Sequence, residues 1–402
     1  MLQPLQGIRV LEWAIYHAGP GGPAILGDLG AEVIKIERPK EGDPLRERFQ
    51  FGKSYFDFQG RNLFFEGANR NKKSITLDLS KEEGREVAYR LAAKSDVFLT
   101  NIRSETVEKM KMSYPILHEI NPRLIYASVT MFGPNGPDSH RGGFDFQGQA
   151  RSGLMYSIGE PDMPPLAAVF AVIDQVTAIW ASHAVLSALV MRDRSGIGQQ
   201  VQASILGSAL GLQYFNVLIG ALTNDAPRHS RTDTDPMRNM YQCKGGKWIC
   251  FTTTTFEPGL WQEFCRIIER PDLENDTRFT SYEKRMENCG ELIAILDGIF
   301  LTKTREEWHD IFGRHGFLSS PVNTPIELKD DPQITENKYM VEFDHPALGS
   351  VLFPGYPVHF SEAFAGTRTA APELGEHTEE VLREIGGYSA EAIKGFRERE
   401  II

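Results

Sequence analysis

The sequence predicts an α/β protein built on an open parallel sheet, followed by a smaller α+β unit. Three observations carry that prediction. The first half alternates short apolar strands with amphipathic helices, an order that gives a parallel sheet covered on both faces. At 223–238 the composition turns polar and proline-punctuated, which reads as a linker. The length, 402 residues, exceeds what one ordinary core supports.

The elements follow in order. Residues 8–13 read as the first strand, then a Gly/Pro turn and a helix from Pro23 to 29. Residues 32–37 and 74–79 are the second and third strands, rich in β-branched side chains. Ser80 with Glu83 has the form of a capping box opening a helix over 81–94. Strands at 96–100 and 124–129 flank a short helix at 105–109. A long amphipathic helix covers 175–192, and a turn at 194–198 leads through Gln200-Val201-Gln202-Ala203 into another helix ending near 222. Beyond the linker, 240–243 and 248–252 form a hairpin around Lys244-Gly245-Gly246-Lys247. Short helices run to about 315. The predicted division is 1–222 for the first part of the large domain, 223–238 for the linker and 239–320 for the small α+β domain. Residues 321–402 then form a second linker and a C-terminal return.

Bulk properties exclude several functions. With 43 basic against 54 acidic residues the net charge is −11, so no basic excess is present to neutralise a nucleic acid. No apolar run of about 18 residues predicts a membrane span, and the N-terminus lacks the regions of a secretory signal. The four cysteines (Cys243, Cys250, Cys265, Cys289) contain no C-x-x-C pair, which argues against zinc and thioredoxin-type sites. Free thiols and a cytoplasmic location are expected, with no metal site.

One motif invites a different function. Gly19-Pro20-Gly21-Gly22-Pro23-Ala24 has the spacing of a dinucleotide-binding loop after a strand, and Glu37 ends the next strand. Alone it would suggest an NAD(P)-dependent oxidoreductase. Pro20 and Pro23 lack the amide donors that a pyrophosphate needs, so the match is poor.

The most telling residue is Asp174, which follows the apolar run 167–173 and stands before the long helix. A carboxylate is rarely placed in such company. It is either an N-cap or a nucleophile kept ionised at neutral pH by the helix dipole.

Four segments decide between these. They are 7–13 with Ala18-Gly19-Pro20 and 29–38; Asn69-Arg70-Asn71-Lys72-Lys73-Ser74 running to Leu79; Ser152-Gly153-Leu154-Met155 with Gly159-Glu160-Pro161, Pro164-Pro165 and Asp174; and Leu374-Gly375-Glu376-His377-Thr378. In register they resemble the family III CoA-transferases, which include the formyl-CoA:oxalate and carnitine CoA-transferases.

The resemblance implies a Rossmann-like large domain, made of the N-terminal half plus the C-terminal tail, a small domain between them, and two interlocked subunits. It implies Asp174 as nucleophile, forming an anhydride and then an aspartyl-CoA thioester, and coenzyme A as part of the substrate with no tightly bound cofactor. Coenzyme A contacts are implied at Tyr16, Arg38, Leu77, Asn101, Ile102 and Lys109, where Lys109 replaces the family's usual arginine and so lacks a bidentate fork. His17 stands where formyl-CoA transferases have glutamine, and is either a donor to an oxyanion or a spectator on the loop. The partner is expected to be a second copy, or a paralogous subunit in a heteromer.

Two departures bear on substrate. Ser104-Glu105 replace a Pro-Gly pair, and the family's active-site glycine run is replaced by Arg231-Thr232-Asp233-Thr234-Asp235. The second argues against formyl-CoA and oxalate. The related α-methylacyl-CoA racemases use a histidine in a G-H-D segment; here it reads Gly143-Phe144-Asp145, and phenylalanine cannot shuttle a proton.

Overall fold

A computed structural model of the chain describes residues 2–47, 50–51, 54–226, 228, 230–253 and 259–402. The chain divides into two compact units: 1–155, 167–225 and 337–402 form one, and 156–166 with 226–336 form the other.

The larger unit is built on a six-stranded sheet. Its strands are β1 (Arg9–Trp13), β2 (Glu32–Glu37), β3 (Lys72–Thr76), β4 (Val97–Thr100), β5 (Ile125–Thr130) and β6 (Gln200–Ser204). Their order is β6-β5-β4-β1-β2-β3, and every pairing is parallel. This is the doubly wound, Rossmann-like arrangement, whose order reverses between β1 and β4.

Because side chains alternate along a strand, each face collects its own apolar set. Leu11, Ile34, Ile75, Phe98 and Tyr126 pack with Val87, Leu91, Leu117, Val381 and Phe396 on one side. Val10, Val33, Val97, Leu99 and Ile125 pack with Leu26, Val185 and Leu189 on the other.

The helices named below are α1 (Gly21–Asp28), α2 (Leu63–Asn69), α3 (Glu82–Ala92), α4 (Ser104–Lys109), α5 (Tyr114–Ile120), α6 (Asp145–Arg151), α7 (Leu154–Ser157), α8 (Val172–Ser195), α9 (Ile205–Leu212) and α10 (Tyr214–Thr223). At 24 residues α8 has the length and apolar composition of a membrane span. Here it is the core helix against the sheet. The helix expected to end near 222 is broken at Gln213 into α9 and α10.

Local chemistry explains the poor phosphate-loop match and corrects one expectation. The glycines near α1 are packing glycines. A Cβ on Gly21 would lie 2.7 Å from the Ala178 Cβ, and one on Gly22 3.4 Å from that of Ala181, so α1 and α8 meet backbone to backbone. Ser80 caps nothing: its hydroxyl donates to Asp78 Oδ1 at 2.6 Å in a local turn, and α3 starts after Lys81 without a side-chain cap.

The C-terminal segment covers the free edge of β3. His377 N donates to Ser74 O, Thr76 N to Thr378 Oγ1, and Asp78 N to Ile401 O. Leu374 to Thr378 thereby protects an edge that would otherwise offer unpaired backbone groups.

The smaller unit carries the predicted hairpin, Arg238–Gln242 paired antiparallel with Trp248–Thr252, and Leu318–Val322 as a third strand. Its core is aromatic, with Tyr241, Phe251, Phe264, Phe300, Trp308 and Phe312 fully buried.

Candidate active site

The loops that leave the strand ends carry nearly every residue the sequence singles out. Tyr16 and His17 follow β1, Arg38 follows β2, Leu77 follows β3, and Asn101 with Ile102 follows β4. In an open parallel sheet this is where ligands bind, at the point of reversal.

The loop after β1 is fixed by buried charge. Lys35 Nζ donates to Ala14 O at 2.7 Å and pairs with Glu12 and Asp43 at 2.9 Å each. Lys72 Nζ donates to Pro20 O at 2.8 Å and pairs with Glu12 at 2.6 Å. Asp43 Oδ1 accepts from Tyr16 N. Asn101 closes the clamp: Oδ1 accepts from Ile15 N and Nδ2 donates to Ile15 O. Its amide is therefore engaged in holding the loop. The loop pays in backbone strain, since Tyr16 has φ of 62°.

Asp174 does not cap its helix. α8 begins at Val172, so Asp174 lies in the first turn, and the residue before the helix, Ala171, is left-handed with φ of 58°. The cap comes from another element. Asp145 Oδ1 accepts from Ile173 N at 2.6 Å and from Asp174 N at 3.2 Å, while its Oδ2 accepts from Gln149 at 2.5 Å. Sequence reasoning names Asp145 only as the end of a G-F-D segment; its cap lies 29 residues away and has no local signal.

The electrostatics of Asp174 follow. Burial is the main cause that pushes its pKa up, and the nearby Asp145 charge adds to it, raising it to about 7. The helix dipole does not keep it fully ionised at neutral pH. Its Oδ1 is buried with no hydrogen-bond partner among the described residues.

His17 is half-buried, and desolvation lowers its pKa, so it is neutral at pH 7. Its Nε2 lies 2.9 Å from Gln175 Oε1. With that oxygen accepting, Nε2 carries the proton and Nδ1 is a bare, unpartnered lone pair. In that tautomer Nδ1 is an acceptor.

Three cavities adjoin along the strand ends. The first, about 410 Å³, is lined by Arg38, Leu77 and Ile102. The second, about 500 Å³, shares Ile15, Ile102 and Thr106 with it and adds Asn101, Arg103, Arg141 and Asp174. The third, about 540 Å³, shares Tyr16, Phe144 and Asp174 with the second and includes His17. Arg103 and Arg141 are cations that the sequence reading did not place at the site. Arg38 is exposed and paired with Glu41 at 2.8 Å. Lys109 is exposed and lines none of the three.

Residues 5–378 match the CoA-transferase family III. The chain belongs to that family. An acyl-CoA transferase of Fusarium pseudograminearum is 33% identical over 99% of this chain and 88% of its own length. The succinyl-CoA:glutarate CoA-transferase of Mus musculus is 31% identical over 98% of this chain and 89% of its own. A CAIB/BAIF family protein from Brucella suis has a crystal structure that superposes with a TM-score of 0.86 at 30% identity, covering 96% of this chain and all of that one. As a family III CoA-transferase, the chain is an enzyme.

Proposed function

We propose that this enzyme moves CoA from an acyl-CoA donor to a carboxylic acid through covalent intermediates on Asp174. The observation that carries the reading is a buried carboxylate with one unpartnered oxygen, set where two cavities adjoin.

In the first step the ionised Asp174 oxygen attacks the donor thioester carbonyl. The C–S bond breaks, leaving a mixed anhydride and CoA thiolate. The thiolate then attacks the Asp174 carbonyl carbon, the anhydride C–O bond breaks, and the donor leaves as a carboxylate. The acceptor carboxylate attacks the resulting aspartyl thioester, and thiolate attack on the acceptor's acyl carbon releases the new acyl-CoA and free Asp174. One difficult exchange is thereby divided into easier steps. Burial that lifts the carboxylate's pKa to about 7 also makes the ionised form a stronger nucleophile. His17, held by Gln175 Oε1, lines the third cavity with Asp174 and acts as a positioning residue there.

CoA would lie along the first two cavities. Leu77 and Ile102 would line the adenine end, Arg38, Arg103 and Arg141 would meet phosphate, and Tyr16 would stand beside the thioester. Lys109 would act only through its charge. Exposed Tyr214, Phe215 and Leu222 of α10 suit a subunit interface, in a homodimer or a heteromer. The four free cysteines suit the cytoplasm.

The test is intact mass after incubation with acyl-CoA donors. Succinyl-CoA comes first, because the mouse relative is named for it. A hydroxylamine-sensitive CoA adduct on the Asp174 peptide of the wild type, absent from Asp174→Asn, is expected. Exchange of an α-proton in heavy water with no adduct would overturn the reading in favour of an isomerase.

A further inference from the structure

The third cavity bears on which acid is handled. Its position follows from the chemistry. A thioester carbonyl held at Asp174 has CoA on one side and the acyl body on the other, and with CoA along the first two cavities the body enters the third.

That cavity is walled by apolar side chains: Leu45, Phe64, Phe144, Phe146, Phe170 and Ala171. Its wall is an aromatic cluster. The Phe56, Phe64 and Phe170 rings pack with centroids 4.7, 5.2 and 4.9 Å apart, and Phe144 meets Tyr16 edge-on at 5.4 Å. Phe144 and Phe146 are 56% and 53% exposed, so the apolar surface continues to the mouth. A site of about 540 Å³ has room for a bulky group.

Charge points the same way. No Lys or Arg is among the described residues that line it, and its two acids, Asp145 and Asp174, would repel a second carboxylate. His17 is held neutral by burial. The buried cations nearby are committed, Lys72 to Glu12, Pro20 O and Asn69, and Arg46 to both oxygens of Glu37. A dicarboxylate would have to desolvate its distal charge with no cation to pair it among the described residues that line the cavity.

We infer that the site takes monocarboxylic acids with a bulky apolar body, aryl or branched alkyl, in preference to dicarboxylates. This rests on the reading of Asp174 as the nucleophile that carries CoA.

The experiment isolates the acceptor half-reaction. The Asp174–CoA adduct is loaded by whichever donor forms it, the enzyme is desalted, and formation of new acyl-CoA is timed with 3-phenylpropanoate, 4-methylpentanoate, succinate and glutarate. The expected result is at least roughly tenfold higher kcat/KM for the apolar acids. Phe146→Lys, at the exposed mouth, is expected to shift that ratio toward the dicarboxylates by about tenfold. An adduct that reacts equally or faster with succinate or glutarate overturns the inference and leaves the transferase reading intact. No adduct with any donor overturns both.

Discussion

Replacing Asp174 by asparagine should stabilise the protein, and by more at high pH than at low. A buried carboxyl lifted to about 7 binds its proton more tightly in the folded state than in the unfolded chain. Its stabilising contribution is therefore complete below about pH 4 and is lost as pH rises to about 7, after which the loss is constant. The shift of about three units corresponds to roughly 4 kcal/mol at full deprotonation, and to about 1.5 kcal/mol at pH 5, where only the unfolded chain has ionised. An asparagine of the same shape carries no such charge. Its advantage over the wild type should grow by about 2.5 kcal/mol between pH 5 and pH 8. Urea denaturation of both proteins at the two pH values measures this, and every titrating group that does not interact with Asp174 cancels in the comparison. An equal gap at pH 5 and pH 8 would mean that Asp174 titrates as an ordinary solvated aspartate, and the argument from burial would fail.

Other consequences are as direct. The kcat/KM of the wild type should fall on the acid side with an apparent pKa near 7, as the nucleophile is protonated. Asp145→Asn keeps an oxygen to cap α8 but removes the like charge, so that limb should move to lower pH; a limb that stays put would leave burial as its sole cause. His17→Ala should lower kcat by roughly a hundredfold with little change in donor KM, through loss of a side chain that lines the cavity beside Asp174. Gly21→Ala places a Cβ 2.7 Å from that of Ala178 and should cost about 1–3 kcal/mol in denaturation, recovered in part by Ala178→Gly.

Much of the large unit was legible because its cues are local. Periodicity and β-branched runs placed the strands of the parallel sheet within a few residues, and the hairpin near Lys244 follows from its glycine turn. The resemblance placed Asp174, Tyr16, Arg38, Leu77 and Ile102 around what prove to be adjoining cavities. One feature misled. Ser80 looked like a cap because spacing shows a possible partner but not the competing Asp78. Why the Gly19–Gly22 run has its glycines is also a tertiary matter, since α8 lies against it. Asn101 lines the second cavity while its amide also bonds the Ile15 backbone, a role with no local signal.

By itself the sequence determined which residue types stand at the strand ends and that one carboxylate sits among apolar neighbours, since these depend on order along the chain. Only the tertiary structure decided how that carboxylate behaves. Asp145 reaches across 29 positions to cap α8, burial and that second charge lift Asp174 toward neutrality, and Gln175 fixes the face His17 presents. Proton affinity and hydrogen-bond direction depend on distance and solvent exclusion, which arise only when segments far apart in sequence are packed together.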